Sequence, residues 1–308
     1  MAATRAGAMI DEQGTELSHG YADLAGGVRL HYVEAGRGPL VVLLHGFPEF
    51  WFSWRFQIPA LAAAGFRVVA PDMRGYNLSS RPRSVADYDI DLLAADVRDL
   101  VRERGADRAF LVGHDWGAAV AWAAAGLHPE VIERLAILNV PHPRRFLHGL
   151  RNPRQLLKSW YMVFFQLPGL PERLARAAHW RAFRYGFEHD ARPGAFTRED
   201  IDRYVEAWSQ PGAITAMMNY YRALFRQPPR RAQERIRPVN APTLVIWGER
   251  DRYLGAELAE PDRGDVPNLA GVVRIPDASH WVHHDEPERV TQLLIDFFGG
   301  QRDQKTSL

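Results

Sequence analysis

The stretch Leu111-Val112-Gly113-His114-Asp115-Trp116-Gly117 decides the fold of this chain. Its two glycines flank Asp115 in the spacing of a nucleophile elbow, a tight turn that exposes one side chain between a strand and a helix. The apolar run Ala109–Val112 predicts the strand, and the small residues of Ala118–Trp122 predict the helix. An aspartate carboxylate can displace a leaving group from a saturated carbon and remain as an alkyl ester. The stretch therefore predicts that Asp115 is a nucleophile.

Composition indicates a globular enzyme and excludes several kinds of site. The chain has 308 residues, enough for one large core or two packed units, and its 46% apolar and 24% charged residues are ordinary for a globular protein. Because cysteine is absent, disulfides, thiolate metal sites and cysteine nucleophiles are excluded. The formal net charge of +1 gives no overall field that would attract nucleic acid or an anionic membrane.

The N-terminal sequence predicts a cytoplasmic protein. Residues 1–20 are mostly polar and lack the apolar core of a signal peptide. No uninterrupted apolar run approaches the length needed to cross a membrane. We therefore expect neither a nucleic acid nor a membrane as a partner, and a homodimer is left open.

Apolar runs alternate with helical patterns along most of the chain. Runs typical of strands covered on both faces are Leu40–Leu44, Phe66–Ala70, Ala109–Val112, Leu135–Val140, Thr243–Trp247 and Val272–Ile275. Between them, Ile90–Arg104 has helical spacing, with Leu92 and Leu93 expected on the apolar side. This alternation predicts an α/β fold in which helices cover a mostly parallel sheet.

The alternation stops from Arg144 to Arg235, where the pattern is helical, aromatic and interrupted by prolines. We interpret residues 141–238 as a helical cap inserted between two parts of one core, residues 1–140 and 239–308. Ligands bind at the carboxyl ends of the strands in open α/β sheets, so the cap is expected to cover that edge.

The predicted cap is also basic. Between Pro141 and Asn240 the chain has 18 arginines and lysines against 8 aspartates and glutamates. An anion-binding or docking face would explain this balance, but arginines on solvated helix faces are the simpler interpretation.

Two residues after later strands complete a catalytic relay with Asp115. Asp251 follows the strand Thr243–Trp247, and His280 follows the last strand. Asp115, Asp251 and His280 thus occur in the chain order nucleophile, acid, histidine, which is the order of one known type of catalytic triad built on a parallel sheet. His280 would act as the general base on a water molecule, and Asp251 would orient its ring.

Other residues compete for these roles. Glu249 and Asp277 are rival acids, although the position directly after a strand favours Asp251. The end of the earlier strand holds Asn139, which cannot serve as the acid. His283 and His284 complete a His-x-x-His-His cluster with His280, but with no further ligand in the pattern we expect no metal and no cofactor.

Backbone donors for an oxyanion are expected on two loops. In His45-Gly46-Phe47-Pro48, which follows a strand, the N–H of Phe47 can point to the site where an ester's oxyanion forms. The N–H of Trp116, at a helix start, is the second expected donor. His45 itself is interpreted as a structural residue of the turn.

The chain resembles an epoxide hydrolase of the α/β-hydrolase superfamily, in the branch that uses an aspartate nucleophile. The matching motifs are His45-Gly46-Phe47-Pro48-Glu49 with Trp54-Arg55, Asp72-Met73-Arg74-Gly75-Tyr76, Gly113-His114-Asp115-Trp116-Gly117, and Asn139-Val140-Pro141-His142-Pro143. The resemblance implies an α/β-hydrolase core, an epoxide and water as substrates, and a vicinal diol as product. The sequence departs from the pattern at Asn77-Leu78-Ser79, where relatives usually have glycine after the tyrosine.

The resemblance also implies two tyrosines in the cap. An epoxide oxygen leaves as a strongly basic alkoxide and needs a proton donor, and Tyr161 and Tyr221 stand in contexts that match the family's motifs. Tyr220 competes with Tyr221, but side chains of neighbouring residues point about 100° apart around a helix, so only one should face the pocket.

Two other functions remain as alternatives. A haloalkane dehalogenase would use the same ester, and the indole N–H of Trp116 could bind the halide. A fluoroacetate dehalogenase is disfavoured because Ala118 and Ala119 stand where arginines would bind a carboxylate. A non-catalytic ligand-binding protein of the same fold is also disfavoured, because it would need no complete relay.

Overall fold

The computed structural model of this protein describes residues 6–10 and 16–300. A tail that the sequence predicts to be loose, from Gln301 onward, lies outside the described residues. Within them one sheet of nine strands runs in the order β1-β2-β3-β5-β4-β6-β7-β8-β9. The strands are β1 Ala6–Ile10, β2 Glu16–Asp23, β3 Arg29–Gly36, β4 Leu40–Leu44, β5 Arg67–Pro71, β6 Ala109–His114, β7 Ile132–Leu138, β8 Thr243–Gly248 and β9 Leu269–Ile275.

The sheet is mostly parallel, as the sequence predicts. Strands β4 to β9 pair in parallel, whereas β1, β2 and β3 form an antiparallel edge that joins the rest through β5. Every residue of β4, β6 and β8 is buried, which explains why these strands are continuous apolar runs. The parallel strands end at one edge, where Asp115, Asp251 and His280 follow the ends of β6, β8 and β9.

Five helices accompany the sheet: α1 Gln57–Ala63, α2 Ile90–Glu103, α3 Trp116–Leu127, α11 Val282–Asp285 and α12 Pro287–Gly299. Asp89 caps the start of helix α2, and its side chain accepts a hydrogen bond from the N–H of Asp91. Leu93 is buried against the sheet, but Leu92 is 43% exposed, which corrects the expectation that both face the core. Adjacent residues point to different sides of a helix, and the core needs only one of them.

Seven helices lie between β7 and β8 and are called the helical insertion here. They are α4 Pro143–Gly149, α5 Pro153–Lys158, α6 Trp160–Phe164, α7 Leu170–Asp190, α8 Arg198–Ser209, α9 Ala213–Phe225 and α10 Pro229–Glu234. Helix α7 is interrupted at Ala177–Trp180, where three residues have positive φ angles. None of the helices in the described ranges is long and apolar enough to cross a membrane.

Candidate active site

The turn between β6 and α3 raises one carboxylate above the sheet edge. Asp115 has φ 48° and ψ −122°, an uncommon conformation for a residue other than glycine. A Cβ on Gly117 would overlap the carbonyl oxygens of Leu44 and His45, so only glycine lets α3 begin this close to β4. The elbow predicted from the sequence is therefore present, and its side chain points away from the sheet.

The two oxygens of the Asp115 carboxylate have different neighbours. Oδ1 accepts a hydrogen bond of 2.7 Å from the backbone N–H of Phe47. Oδ2 lies 3.5 Å from Nε2 of His280, and the side chain is 17% exposed. Burial raises the pKa of Asp115, but the hydrogen bond and the charge of His280 lower it by a larger amount. The pKa of Asp115 therefore lies below its ordinary value. Asp115 is therefore an ionised, partly accessible carboxylate.

His280 lies between two carboxylates. Its Nδ1 donates a hydrogen bond of 2.7 Å to Oδ2 of Asp251, while its Nε2 faces Asp115. Burial lowers the pKa of His280, but the negative charges of Asp251 and Asp115 outweigh it and raise that pKa to about 10. In this resting arrangement the ring is protonated at neutral pH.

Four hydrogen bonds hold the Asp251 carboxylate. Oδ1 accepts from the backbone N–H groups of Tyr253 and Leu254, at 2.7 Å and 2.9 Å. Oδ2 accepts from His280 and, at 2.8 Å, from Nδ2 of Asn139. The sequence excludes Asn139 as an acid but does not reveal that its amide helps to fix the acid in place.

The rival acids lie elsewhere. Glu249 forms an ion pair with Arg274, and Asp277 forms one with Arg250, and both carboxylates are partly or largely exposed. The hydrogen-bond partner of His280 is thus Asp251, and the ion pairs of Glu249 and Asp277 are with arginines.

The helical insertion holds the loop that carries Asp251. Gln155 on α5 is buried, and its amide donates to the carbonyl of Tyr253 at 2.9 Å and accepts from the N–H of Gly255 at 3.0 Å. Nζ of Lys158 donates to the carbonyl of Asp251 at 3.0 Å. The acid's position therefore depends on side chains of α5, a link that no motif in the sequence indicates.

A buried cluster around Glu49 lies next to the site and bonds the backbone of His280. The sequence does not predict this cluster. The carboxylate of Glu49 bonds His114 at 3.0 Å and His284 at 2.7 Å. The other ring nitrogen of His114 lies 2.9 Å from the carbonyl oxygen of His280. Burial alone would raise the pKa of Glu49, but its bonds to His114 and His284 hold that pKa well below its ordinary range. The backbone of His280 thus connects to a buried hydrogen-bond network around Glu49.

The cluster has the composition of a metal site but not the protonation of one. Ligand atoms of Glu49, His283 and His284 all lie within 4.8 Å of one another. However, Arg55 can only donate, and its Nη1 lies 3.0 Å from Nδ1 of His284. The proton of His284 is therefore on Nε2, which donates to Glu49, while the lone pair of Nδ1 accepts from Arg55. Neither ring nitrogen has a lone pair left for a metal. The absence of a metal stays a prediction.

A cavity of about 650 Å³ opens above Asp115 and His280. Its walls come largely from the helical insertion and are mainly apolar. Aromatic residues that line it include Phe47, Trp160, Phe164, Phe165, Phe183 and Trp281. The charged side chains among the lining residues are those of Asp115, Lys158, Asp190 and Arg252, with His280 at the base. The cavity suits a largely apolar small molecule.

Both tyrosines expected from the family motifs line this cavity. The ring centroids of Tyr161 and Tyr221 are 5.8 Å apart. Burial and the charge of Asp115 raise the pKa of both hydroxyls, so they are protonated at neutral pH. Tyr220 points elsewhere and donates 2.6 Å to the carbonyl of Arg74. Of these two neighbours, Tyr221 lines the cavity and Tyr220 does not.

Trp116 provides two groups near the nucleophile. Its backbone N–H is at the first position of α3, where the helix itself offers no acceptor. Its indole ring lies edge-on to Tyr221, with centroids 5.0 Å apart, and its side-chain hydrogen bond favours the ionised form of that hydroxyl.

The loop that departs from the family pattern is anchored by side chains. Asn77 has φ 39°, a conformation that asparagine tolerates, and its Nδ2 donates 2.9 Å to Asp72. The hydroxyl of Ser79 donates 2.6 Å to the carbonyl of Asp72. His45 accepts from the N–H of Met73 at 2.9 Å, in agreement with a structural role.

Comparison with known families and proteins agrees with these features. A family model described as the alpha/beta hydrolase fold matches residues 39–287. The AB hydrolase superfamily protein YfhM of Bacillus subtilis is 43% identical over 282 residues, which cover 89% of this chain and 96% of that protein. Human epoxide hydrolase 4 is 39% identical over 287 residues, 91% of this chain and 78% of that protein.

Solved structures of epoxide hydrolases are also similar to this chain. A Bacillus megaterium epoxide hydrolase in complex with an inhibitor superposes with a TM-score of 0.82 at 33% identity, over 91% of this chain and 99% of that one. Epoxide hydrolase A from Mycobacterium thermoresistibile superposes with a TM-score of 0.80 at 33% identity, over 92% of this chain and 98% of that one.

Proposed function

Because this chain belongs to the α/β-hydrolase fold family and, within it, to the epoxide hydrolases, we propose that it hydrolyses a small-molecule epoxide to a vicinal diol through an ester on Asp115. One observation carries this proposal: Asp115, His280, Tyr161 and Tyr221 line a single cavity. A carboxylate nucleophile, a base and two proton donors are what ring opening and ester hydrolysis require. The helical insertion is then the cap of the site, with the boundaries 141–238 expected from the sequence.

In the first step Oδ2 of Asp115 attacks a ring carbon, and the carbon–oxygen bond of the epoxide breaks. The electron pair stays on the ring oxygen, which takes a proton from Tyr161 or Tyr221. Both hydroxyls are protonated at neutral pH, so they can polarise the oxygen before attack and donate afterwards. The hydrogen bond from Phe47 to Oδ1 leaves Oδ2 as the nucleophilic oxygen.

In the second step water hydrolyses the ester. After ring opening the protonated ring of His280 gives its proton to the tyrosinate, because the loss of charge on Asp115 lowers the pKa of His280. The neutral ring then takes one proton from water, and the hydroxide adds to the carboxyl carbon of Asp115. Negative charge then develops on Oδ1, which already accepts from Phe47, and the N–H of Trp116 is the proposed second donor. The tetrahedral intermediate then breaks down and expels the alkoxide of the diol, which takes the proton from His280. The second proton of water, left on the carboxyl group of Asp115, passes to His280, so Asp115 is again a carboxylate and His280 is again protonated.

We expect the pKa of His280 to fall when Asp115 loses its charge. The ester is neutral, so one of the two carboxylates that raise this pKa to about 10 disappears when the base is needed. The variant Asp115→Asn reproduces that loss of charge. An NMR titration of the ring should give a midpoint near 10 in the wild type and a lower one in the variant. Equal midpoints would contradict this coupling.

Product analysis with two substrates tests the proposed activity. Purified protein is incubated separately with styrene oxide and with a 1-bromoalkane, and diol and bromide are measured. We expect diol and no bromide, because tyrosine donors serve an alkoxide leaving group. Bromide without diol would overturn the proposal, and so would the absence of both products across a panel of terminal and aromatic epoxides.

The geometry gives no support to a haloalkane dehalogenase. That alternative would bind the halide through the indole N–H of Trp116, whose ring lies edge-on to Tyr221 with centroids 5.0 Å apart. A halide leaves as a stable anion, so such an enzyme would not need two protonated tyrosines over the nucleophile.

A further inference from the structure

Large apolar side chains are concentrated on the surface of the helical insertion. Of the thirteen large apolar residues that are strongly exposed in the described part of the chain, eleven lie between residues 147 and 225. Six of these are on α5, α6 and the beginning of α7: Leu156, Leu157, Trp160, Val163, Leu170 and Leu174. Their exposed fractions run from 46% for Leu170 to 75% for Leu157. We call these six residues the apolar face, and such a concentration indicates a binding surface.

The apolar face borders the entrance of the active-site cavity. Leu157, Trp160 and Leu174 line the cavity, yet they are 75%, 61% and 51% exposed, so they form part of its rim. The same cavity reaches Asp115 and His280. A partner that covers the apolar face therefore also lies over the entrance.

The sequence segment that carries this face is strongly basic. From Arg144 to Arg184 the chain has nine arginines and lysines and a single acidic residue, Glu172, which is paired with Arg222. Within the described ranges, five exposed arginines of this segment have no ion-pair partner: Arg151, Arg154, Arg173, Arg176 and Arg181. The occupant of the face is therefore expected to be both apolar and anionic.

We propose that the apolar face docks on an anionic lipid surface. The arginines contact the headgroups, and the leucines and Trp160 enter the interface between headgroups and acyl chains. Basic residues beside leucine and tryptophan are typical of segments that lie in a membrane interface, and anionic lipids attract each basic side chain near them. Apolar molecules dissolved in the lipid would then meet the cavity entrance directly. This binding goes beyond the proposed hydrolysis and does not depend on it.

The charge disfavours a second copy of this chain as the occupant. In a two-fold dimer the same surface of both copies meets, so two sets of exposed arginines would face each other. A folded partner would also close the cavity entrance. The net charge of +1 gives no reason to expect an anionic membrane as a partner. That value averages the positive charge of this segment with the charge of the rest of the chain.

Vesicle sedimentation of the full chain tests the docking. We expect binding to vesicles of phosphatidylcholine with phosphatidylglycerol to be at least about tenfold tighter than to phosphatidylcholine alone, and to weaken in high salt. Two double variants, Leu156→Ser with Val163→Ser and Arg151→Glu with Arg154→Glu, should each weaken binding about tenfold. Thermal unfolding followed by circular dichroism checks that they fold. Leu92→Ser, at an exposed leucine of α2, is the matched control and should bind like the wild type.

Three results would overturn the proposal. The first is that the chain binds neither kind of vesicle, or binds both equally. The second is that the folded face variants bind as tightly as the wild type. The third is a dimer in sedimentation velocity that Leu156→Ser with Val163→Ser dissociates, since a second copy of the chain would then cover the face.

Discussion

Replacing His280 with glutamine is expected to trap the protein as an alkyl ester on Asp115. Glutamine has a similar size but cannot take a proton from water, so ring opening continues while ester hydrolysis stops. Loss of a general base typically slows a reaction by about a hundredfold to ten-thousandfold, and we expect turnover to fall within that range. Intact-protein mass spectrometry should show a mass increase equal to that of the epoxide, and peptide mapping should locate it on Asp115.

Two variants control this experiment. Adding Asp115→Asn to His280→Gln should remove the adduct, because the nucleophile is gone. His148→Gln changes an exposed histidine of α4 that does not line the cavity, and it should turn over without accumulating ester. If no epoxide gives an adduct with His280→Gln, or if His148→Gln accumulates as much, then His280 is not the base.

The parallel part of the fold can be predicted because its signal is local. Strands β4, β6 and β8 are buried along their whole length, so each appears in the sequence as an apolar run. Strands β1 and β2 are not predicted. They lie at the antiparallel edge, and in β2 the buried Leu17, Gly20 and Ala22 are separated by exposed or half-buried residues, which gives no continuous run.

The three residues that the sequence predicts as a catalytic relay can be proposed together because each follows a strand, and parallel strands end at the same edge. The residues that hold these three in place cannot be predicted in this way. Asn139 reaches Asp251 across 112 positions, and His284 reaches Glu49 across 235. Such pairs have no spacing that a motif could capture, because the fold brings them together. The size of the cavity is equally hidden, since it depends on how aromatic side chains of the insertion pack.

The two cavity tyrosines are the part of the site with the sharpest chemical requirement. An epoxide oxygen becomes a strongly basic alkoxide when the ring opens, so the barrier depends on a proton donor at that atom. Tyr161 and Tyr221 come from different helices, α6 and α9, yet their rings are 5.8 Å apart in the same cavity as Asp115. Two donors from separate helices can hold one oxygen between them, and we expect either to support the reaction alone to some extent.

Changing Tyr161 and Tyr221 together to phenylalanine is therefore expected to abolish epoxide opening. Each single change leaves one donor and should slow opening less. The double change removes general-acid catalysis and should cost about a hundredfold to ten-thousandfold. The rate of ester formation is measured by mass spectrometry in the His280→Gln background, where ring opening is separated from ester hydrolysis.

Tyr220→Phe is the matched control for these changes. Its hydroxyl donates to the carbonyl of Arg74 and does not line the cavity, so its loss should lower the free energy of unfolding by about 1 kcal/mol. Ester formation should continue at the wild-type rate. If the double variant opens epoxides at a near-normal rate, the two cavity tyrosines only pack, and the leaving group no longer distinguishes an epoxide from a halide. If one single variant is as slow as the double variant, one tyrosine alone donates the proton.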